Sequence, residues 1–252
     1  METNNDYRLR PSFGDSFGTG WSVMGDNFLR LFLVVLVLII LSGPTKIFHM
    51  NFNGSDLHNL PFNWHGHSGN WGHDLINLAP LGLLAGFFGL LALLYSFLAL
   101  PVVDFGSKMI FVQAVRKIKP DFELLLKGFW ENYLNIILAN LLVVALVILG
   151  CIALIIPGII IGCRLAFVSY LVMDKKLDPI EAVEQSWKLT RGHGWTIFFM
   201  GFVSIFIFIF GLILMIVGIF PAIMWISSSF ASLYQAVINE TEKPAEPITV
   251  QA

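Results

Sequence analysis

Charge is what this sequence has least of. Asp, Glu, Lys and Arg make up 13% of 252 residues, against roughly 25% in an ordinary soluble protein. The net charge is −2, so the basic face that nucleic-acid binding needs is lacking and no nucleic-acid partner is expected. Two cysteines exclude a small secreted scaffold stapled by disulfides. The phosphate-cradling G-x-x-x-x-G-K-[ST] loop, the zinc-protease H-E-x-x-H pattern and C-x-x-C are all absent. Asp104, Glu123 and Glu131 are scattered among interfacial lysines and make no nucleophile–base pair. No enzyme and no cofactor are expected.

What is present is apolar mass. Hydrophobic residues reach 56% and the mean hydropathy is +0.77, which makes the expected fold all-α and polytopic in a membrane. The stretches Leu75–Val103, Asn132–Cys163 and Gly192–Asn239 carry no charge. A span takes about 20 apolar residues, so the last stretch holds two helices. Pro221 with Gly218 is expected to divide it, and Pro157-Gly158 to divide the middle one. Leu31–Ser42 supplies a shorter first span, with Arg30 snorkelling to the headgroups. Acidic residues at Glu2, Asp6, Asp15 and Asp26 argue against a signal peptide.

Six spans result, near 28–43, 78–102, 132–156, 158–173, 195–217 and 221–238. Arg8 and Arg10 precede the first; Lys108, Arg116, Lys117, Lys119 and Lys127 lie between the second and third; Lys175, Lys176, Lys188 and Arg191 lie between the fourth and fifth. The alternate loops hold only Lys46. The positive-inside rule then puts both termini in the cytoplasm. The chain divides into a cytoplasmic segment 1–27, a six-helix membrane domain 28–238 with an outer loop at about 44–77, and a disordered cytoplasmic tail 239–252.

The inner loops are patterned. Asp178-Pro179-Ile180-Glu181 starts a helix as N-cap, proline at N1 and glutamate at N3, and Gly192 ends it. Ile180, Val183 and Trp187 share one face, so this helix is expected to lie in the inner interface with Trp187 at headgroup depth and Lys188 and Arg191 near phosphates. Asp121 caps a second short helix through Phe122, Leu125 and Leu126 to Gly128. Three aromatic-bearing amphipathic stretches lead into apolar runs: Gly20-Trp21 to Phe28-Leu29, Gly128-Phe129 to Tyr133-Leu134, and Ser186-Trp187 to Trp195. A threefold repeat of lead-in helix plus helical hairpin would explain them; so would interfacial aromatics alone.

In order along the chain come Phe13-Gly14-Asp15, Gly20-Trp21, Asn27-Phe28, Pro157-Gly158, Arg164, Asp174, Glu181-Ala182, Ser186-Trp187, Gly192, Phe230-Ala231 and Tyr234. This ordered set, over about residues 13–237, resembles the six-span bacterial membrane proteins grouped with the membrane domain of glycerophosphoryl diester phosphodiesterases. The resemblance implies the six-helix fold and a bacterial cytoplasmic (inner) membrane. Some relatives carry a fused catalytic domain; these 252 residues hold no soluble stretch long enough for one, and they depart further in a His-rich outer loop.

Arg164 is the sharpest candidate site. Six residues past Gly158, it is expected about 9 Å below the outer boundary, where an arginine costs about 2.5–3.5 kcal/mol and must face the bundle or a wet cavity. Asn140 and Ser227, Ser228 and Ser229 are expected at similar depth, giving an intramembrane polar site for an anionic group. A purely structural arginine at the Pro157 turn is the competing reading. In the outer loop, His65, His67, His73 and Asp74 have the donor chemistry for Zn²⁺ or Cu²⁺, although a polar loop resting on the interface explains them as well. Cys151 and Cys163 flank Pro157 symmetrically. The favoured function is a non-enzymatic scaffold that meets membrane lipids and a protein partner or a second copy of itself. A transporter or lipid-translocating protein built on Arg164 is the alternative.

Overall fold

The computed structural model describes residues 10–50 and 87–242. Among them there is no strand, and the order of helices is α1 (Phe13–Asp26), α2 (Phe28–Met50), α3 (Phe87–Val115), α4 (Glu123–Glu131), α5 (Tyr133–Ala153), α6 (Ile155–Arg164), α7 (Val168–Asp174), α8 (Pro179–Leu189), α9 (Gly194–Ile213) and α10 (Met215–Glu242). Four segments are long and apolar enough to cross a membrane: Phe87–Val115, Tyr133–Ala153, Ile156–Asp174 and Gly194–Ile213. A fifth is the pair α1 and α2 taken together, bent by 97° at Asn27. The chain is thus an all-helical bundle of multi-pass membrane character.

Its exposed surface follows from that solvent. On α9, Phe199, Phe202, Ile205, Phe206 and Ile209 point outward, and on α5 so do Leu141, Val144, Ile148 and Ile152. In water such a belt would aggregate; against acyl chains it is the expected coat. α10 is not among these four, and its packing is of another kind. It is packed by α1, α2, α3 and α9 and buries Met224, Ser228, Ser229, Ser232, Leu233 and Tyr234. A helix shielded by its neighbours needs no lipid-facing apolar coat.

The elements fall into three units, each a short helix followed by two long ones: α1 with α2 and α3, α4 with α5 and α6–α7, α8 with α9 and α10. One residue just before each first long helix has a closely similar backbone: Asn27 (φ −118°, ψ 25°), Asn132 (φ −136°, ψ 28°) and His193 (φ −106°, ψ 6°). Seven and four residues before these joints the short helix is buried, at Gly20 and Val23, Leu125 and Gly128, Ser186 and Leu189. Trp21 and Trp187 both lie six residues before the joint, and both are exposed. Each short helix also packs on the last helix of another unit: α4 on α3, α8 on α7, and α1 on α10, which closes the ring. The expected lead-in-plus-hairpin repeat is therefore present in the helices. Its register differs by most of a turn in the middle unit, where Leu125-Leu126 and not Gly128-Phe129 takes the place of Gly20-Trp21.

Several boundaries differ from expectation. The middle apolar stretch breaks at Leu154, which is extended (φ −170°, ψ 149°), and Pro157 sits in the first turn of α6, where no amide partner is lost. The last stretch breaks at Leu214, and α10 runs through Pro221; neighbouring helices hold a proline that water would not. The expected span 158–173 is two helices, separated at 165–167. α3 continues past the expected end at 102, so Asp104 and Lys108 form an (i, i+4) ion pair on a helix. α4 extends beyond Gly128 to Glu131, with the Glu123 amide donating to Asp121 Oδ1 at 3.0 Å. The tail expected to be disordered from 239 is helical to Glu242, tied by Lys175 to Glu242 (2.7 Å) and His193 to Glu240 (3.3 Å).

Candidate functional site

The α6–α7 break is where the expected site is built. α6 ends at Arg164, leaving its carbonyl without a helical partner. Ser186 Oγ on α8 donates to that carbonyl at 2.7 Å and accepts from the Phe167 amide at 3.3 Å, so one hydroxyl spans the gap. Thr190 Oγ1 reaches the same carbonyl at 3.4 Å and its own helix at Ser186 O at 2.8 Å. Both side chains are fully buried. α8 starts after Asp178 as expected and ends at Leu189, three residues before a left-handed Gly192 (φ +95°). Its buried face is Ala182, Ser186 and Leu189, while Ile180 and Trp187 are exposed.

The Arg164 guanidinium lies over the Trp187 ring, 5.8 Å from its centre. Its Nη1 is buried with no hydrogen-bond partner. The remaining members of the expected polar site do not gather around it. α6 packs on α5 and α9, with at most marginal contact to α10. Ser229 instead donates to the Trp225 carbonyl at 2.7 Å and lies against Gly20 of α1. A Cβ at Gly20 would meet Ser229 Oγ and approach its backbone nitrogen to 2.8 Å. Ser228 is buried with an unpaired hydroxyl, Ser227 is half-buried on the same helix, and Asn140 is half-buried on α5. Arg164 thus lies against the amphipathic helix α8, with Trp187 under its guanidinium and Ser186 at its carbonyl.

A second polar assembly escapes sequence reading. Arg116, just past α3, donates from Nη1 and Nη2 to the two carboxylate oxygens of Asp174 at 2.7 and 2.6 Å, and from Nε to Gln235 Oε1 at 2.6 Å. Tyr234 donates to Asp174 Oδ2 at 3.0 Å and stacks on Tyr170 at 4.8 Å between ring centres. Asp174 thereby accepts three charge-assisted or hydroxyl bonds, and the last helices of all three units are joined at one point. Donating to Asp174 raises the guanidinium's already high pKa. Every polar atom has a use inside the cluster, which fits a structural lock better than a binding site. Asp174 and Tyr234 belong to the residues that carry the resemblance; Arg116 reads in sequence as one more inner-loop cation.

Near the lock a cleft of about 70 Å³ is lined by Met109, Leu124, Lys127, Glu131, Met173 and Lys176. Glu131 pairs with Lys176 at 2.9 Å and Lys127 at 3.3 Å, and these partners, Lys176 first, hold its carboxyl below the ordinary range. The volume is well short of the roughly 300–1,000 Å³ of a small-molecule pocket.

One string of the nucleophile-elbow form G-x-S-x-G is present, Gly14-Asp15-Ser16-Phe17-Gly18. It lies inside α1 with Ser16 buried and its hydroxyl unpaired, whereas that chemistry needs an exposed serine on a strand-to-helix turn. His65, His67, His73 and Asp74 lie outside the described residues, and among those described no group of His, Cys, Asp and Glu is arranged to hold a metal. Cys151 and Cys163 are free thiols. Comparison with protein-family models, curated proteins and solved structures finds no match.

Proposed function

We propose that this chain is a multi-pass protein of the bacterial cytoplasmic (inner) membrane, with six spans and both termini inside, acting without catalysis as a scaffold that meets lipids and a protein partner or a second copy of itself. The observation that carries the reading is the use to which its polar groups are put. Arg116, Asp174, Tyr234 and Gln235 satisfy one another, Ser186 and Thr190 stitch a helix break, and Arg164 turns to an amphipathic helix. The groups of the Arg116–Asp174 cluster and of the helix break are thus taken up within the fold, and Arg164 lies against the amphipathic helix rather than on a path lined by Ser227–Ser229.

The topology draws support from four contacts between distant segments: Arg116 with Asp174, Lys176 with Glu131, Lys175 with Glu242 and His193 with Glu240. They bring the two cation-rich loops and the end of α10 to one end of the bundle, as an inside assignment of all three requires. The outward face of α8 and the 97° turn of α1 against α2 speak for short helices lying in the inner interface. Six spans are reached by counting the bent first segment and the shielded α10.

A transporter centred on the bundle is the second reading, favoured by the buried, unpaired hydroxyls of Ser16 and Ser228. Flux across liposomes holding the purified protein separates the two. The scaffold predicts that Arg164→Leu alters stability or assembly and leaves flux at the level of empty liposomes, as in the wild type. Arg164-dependent movement of a solute would overturn it.

A further inference from the structure

We infer that Arg164, Trp187, Lys188 and Arg191 form a docking site for the phosphate of an anionic phospholipid, at the junction of α6 and α8. The inference rests on the lipid-contacting reading above and names the group contacted.

Arg164 is the starting point. Its carbonyl is held by the Ser186 hydroxyl of α8 at 2.7 Å, so the side chain leaves from a fixed point. Its guanidinium lies 5.8 Å from the Trp187 ring centre, and Nη1 is shut off from solvent without an acceptor. Among the described residues no carboxylate lies within salt-bridge distance of it, while six Lys and Arg side chains have such partners. A half-buried guanidinium keeps its proton, and with no acid of the fold beside it the accessible side of the fork is open to an anion from outside.

The surroundings select the anion's source. Lys188 and Arg191 are exposed in the last turn of α8 and just past it; Glu184 approaches Lys188 at 4.0 Å, and Glu181 is exposed one turn further back on the same face. Three cations against two carboxylates leave an excess of one positive charge. Beside it, exposed Ile180 and Trp187 form an apolar strip. A free phosphate would have no use for that strip; a phospholipid places its acyl chains there and its phosphate on the cations. The planar guanidinium suits two phosphate oxygens at once, and the indole face below it adds attraction while excluding water.

The test uses the full chain in nanodiscs of equal parts phosphatidylcholine and phosphatidylglycerol, with lipids retained on the protein counted by native mass spectrometry. Wild type should retain phosphatidylglycerol selectively, and Arg164→Gln should lower that selectivity about tenfold, the size of one lost charge-assisted bond. Arg164→Lys, which keeps the charge and loses the fork, should fall between. If Arg164→Gln does not fold, wild type against Trp187→Phe reads the same site through quenching by brominated lipids: the Trp187 emission should be quenched more by brominated phosphatidylglycerol than by brominated phosphatidylcholine. Equal quenching, or unchanged selectivity in folded Arg164→Gln, overturns the site. Arg164-dependent uptake of inorganic phosphate in pure phosphatidylcholine discs would overturn the lipid assignment in favour of a soluble anion. Lipid selectivity that is absent in the wild type or unchanged in Arg164→Gln, with no flux, sinks this site alone, whereas Arg164-dependent flux sinks the scaffold.

Discussion

Arg116 and Asp174, 58 residues apart, meet through two parallel hydrogen bonds of 2.7 and 2.6 Å. Their side chains are only 26% and 10% exposed, so removing one partner strands the other in a poorly hydrated place. A fully buried pair loses about 3–5 kcal/mol when broken; partial exposure of Arg116 lowers the expectation for Arg116→Ala or Asp174→Ala to about 2–3 kcal/mol. Thermal unfolding in detergent should show it. A double-mutant cycle should return a coupling energy above 1 kcal/mol, on the order of the bidentate bond itself. Independent, additive effects would mean that the pair does not lock the helices.

Gly20 is required where α1 crosses Ser229. Alanine would gain about 1 kcal/mol in helix propensity. Its Cβ, however, would sit 2.8 Å from the Ser229 nitrogen, and overpacking of this kind costs about 1–3 kcal/mol. Gly20→Ala should loosen α1 and expose it to limited proteolysis. Gly14→Ala and Gly25→Ala, whose added carbons meet nothing within 4 Å, should not. Equal resistance of all three variants would contradict the close α1–α10 contact.

Ser186→Ala removes the hydroxyl that bridges Arg164 and Phe167. Two buried backbone groups lose a partner, at a cost of about 1–3 kcal/mol. Ser186→Thr keeps the hydroxyl and should cost less if the added methyl fits. Amide exchange at 165–167 measures the effect directly: it should rise in the alanine variant and stay unchanged elsewhere in α7.

Glu131 gives a pH dependence. Lys176 and Lys127 hold its carboxyl below the ordinary range, so its contribution is present above the unfolded pKa and is lost as pH falls through the lower folded one. In Glu131→Gln that part of the acid sensitivity should vanish. Unfolding curves of the two proteins should therefore differ near neutrality and converge in acid; a gap that widens in acid would reverse the sign and refute the pairing.

Much of the architecture is legible in the residues. Charge-free stretches locate the long helices, Asp178-Pro179 marks the start of α8 and Asp121 the start of α4, and the three aromatic lead-ins foretell the repeat. Chain breaks are less legible. Pro157 and Pro221 look like the obvious stops, yet a proline is harmless in a first turn and tolerable where neighbours enclose the helix, so the chain turns at Leu154 and Leu214. The polar site is the least legible part. Depth counted along the helix puts Arg164 level with Ser227–Ser229, but equal depth does not make neighbours, and α6 packs on α5 and α9 instead of α10. The Arg116–Asp174–Gln235 lock joins three segments far apart in sequence, a pairing that no local pattern encodes. Ser186 and Thr190 did leave a local sign: small polar residues four apart on the face opposite Ile180 and Trp187.

The most direct test extracts wild type and Arg164→Leu in native lipid particles and identifies by mass spectrometry what stays bound. A scaffold that meets lipid should hold an anionic lipid that the variant loses, together with any protein partner retained by both. A non-lipid solute held by the wild type and released by the variant would contradict that account and mark the chain as a transporter.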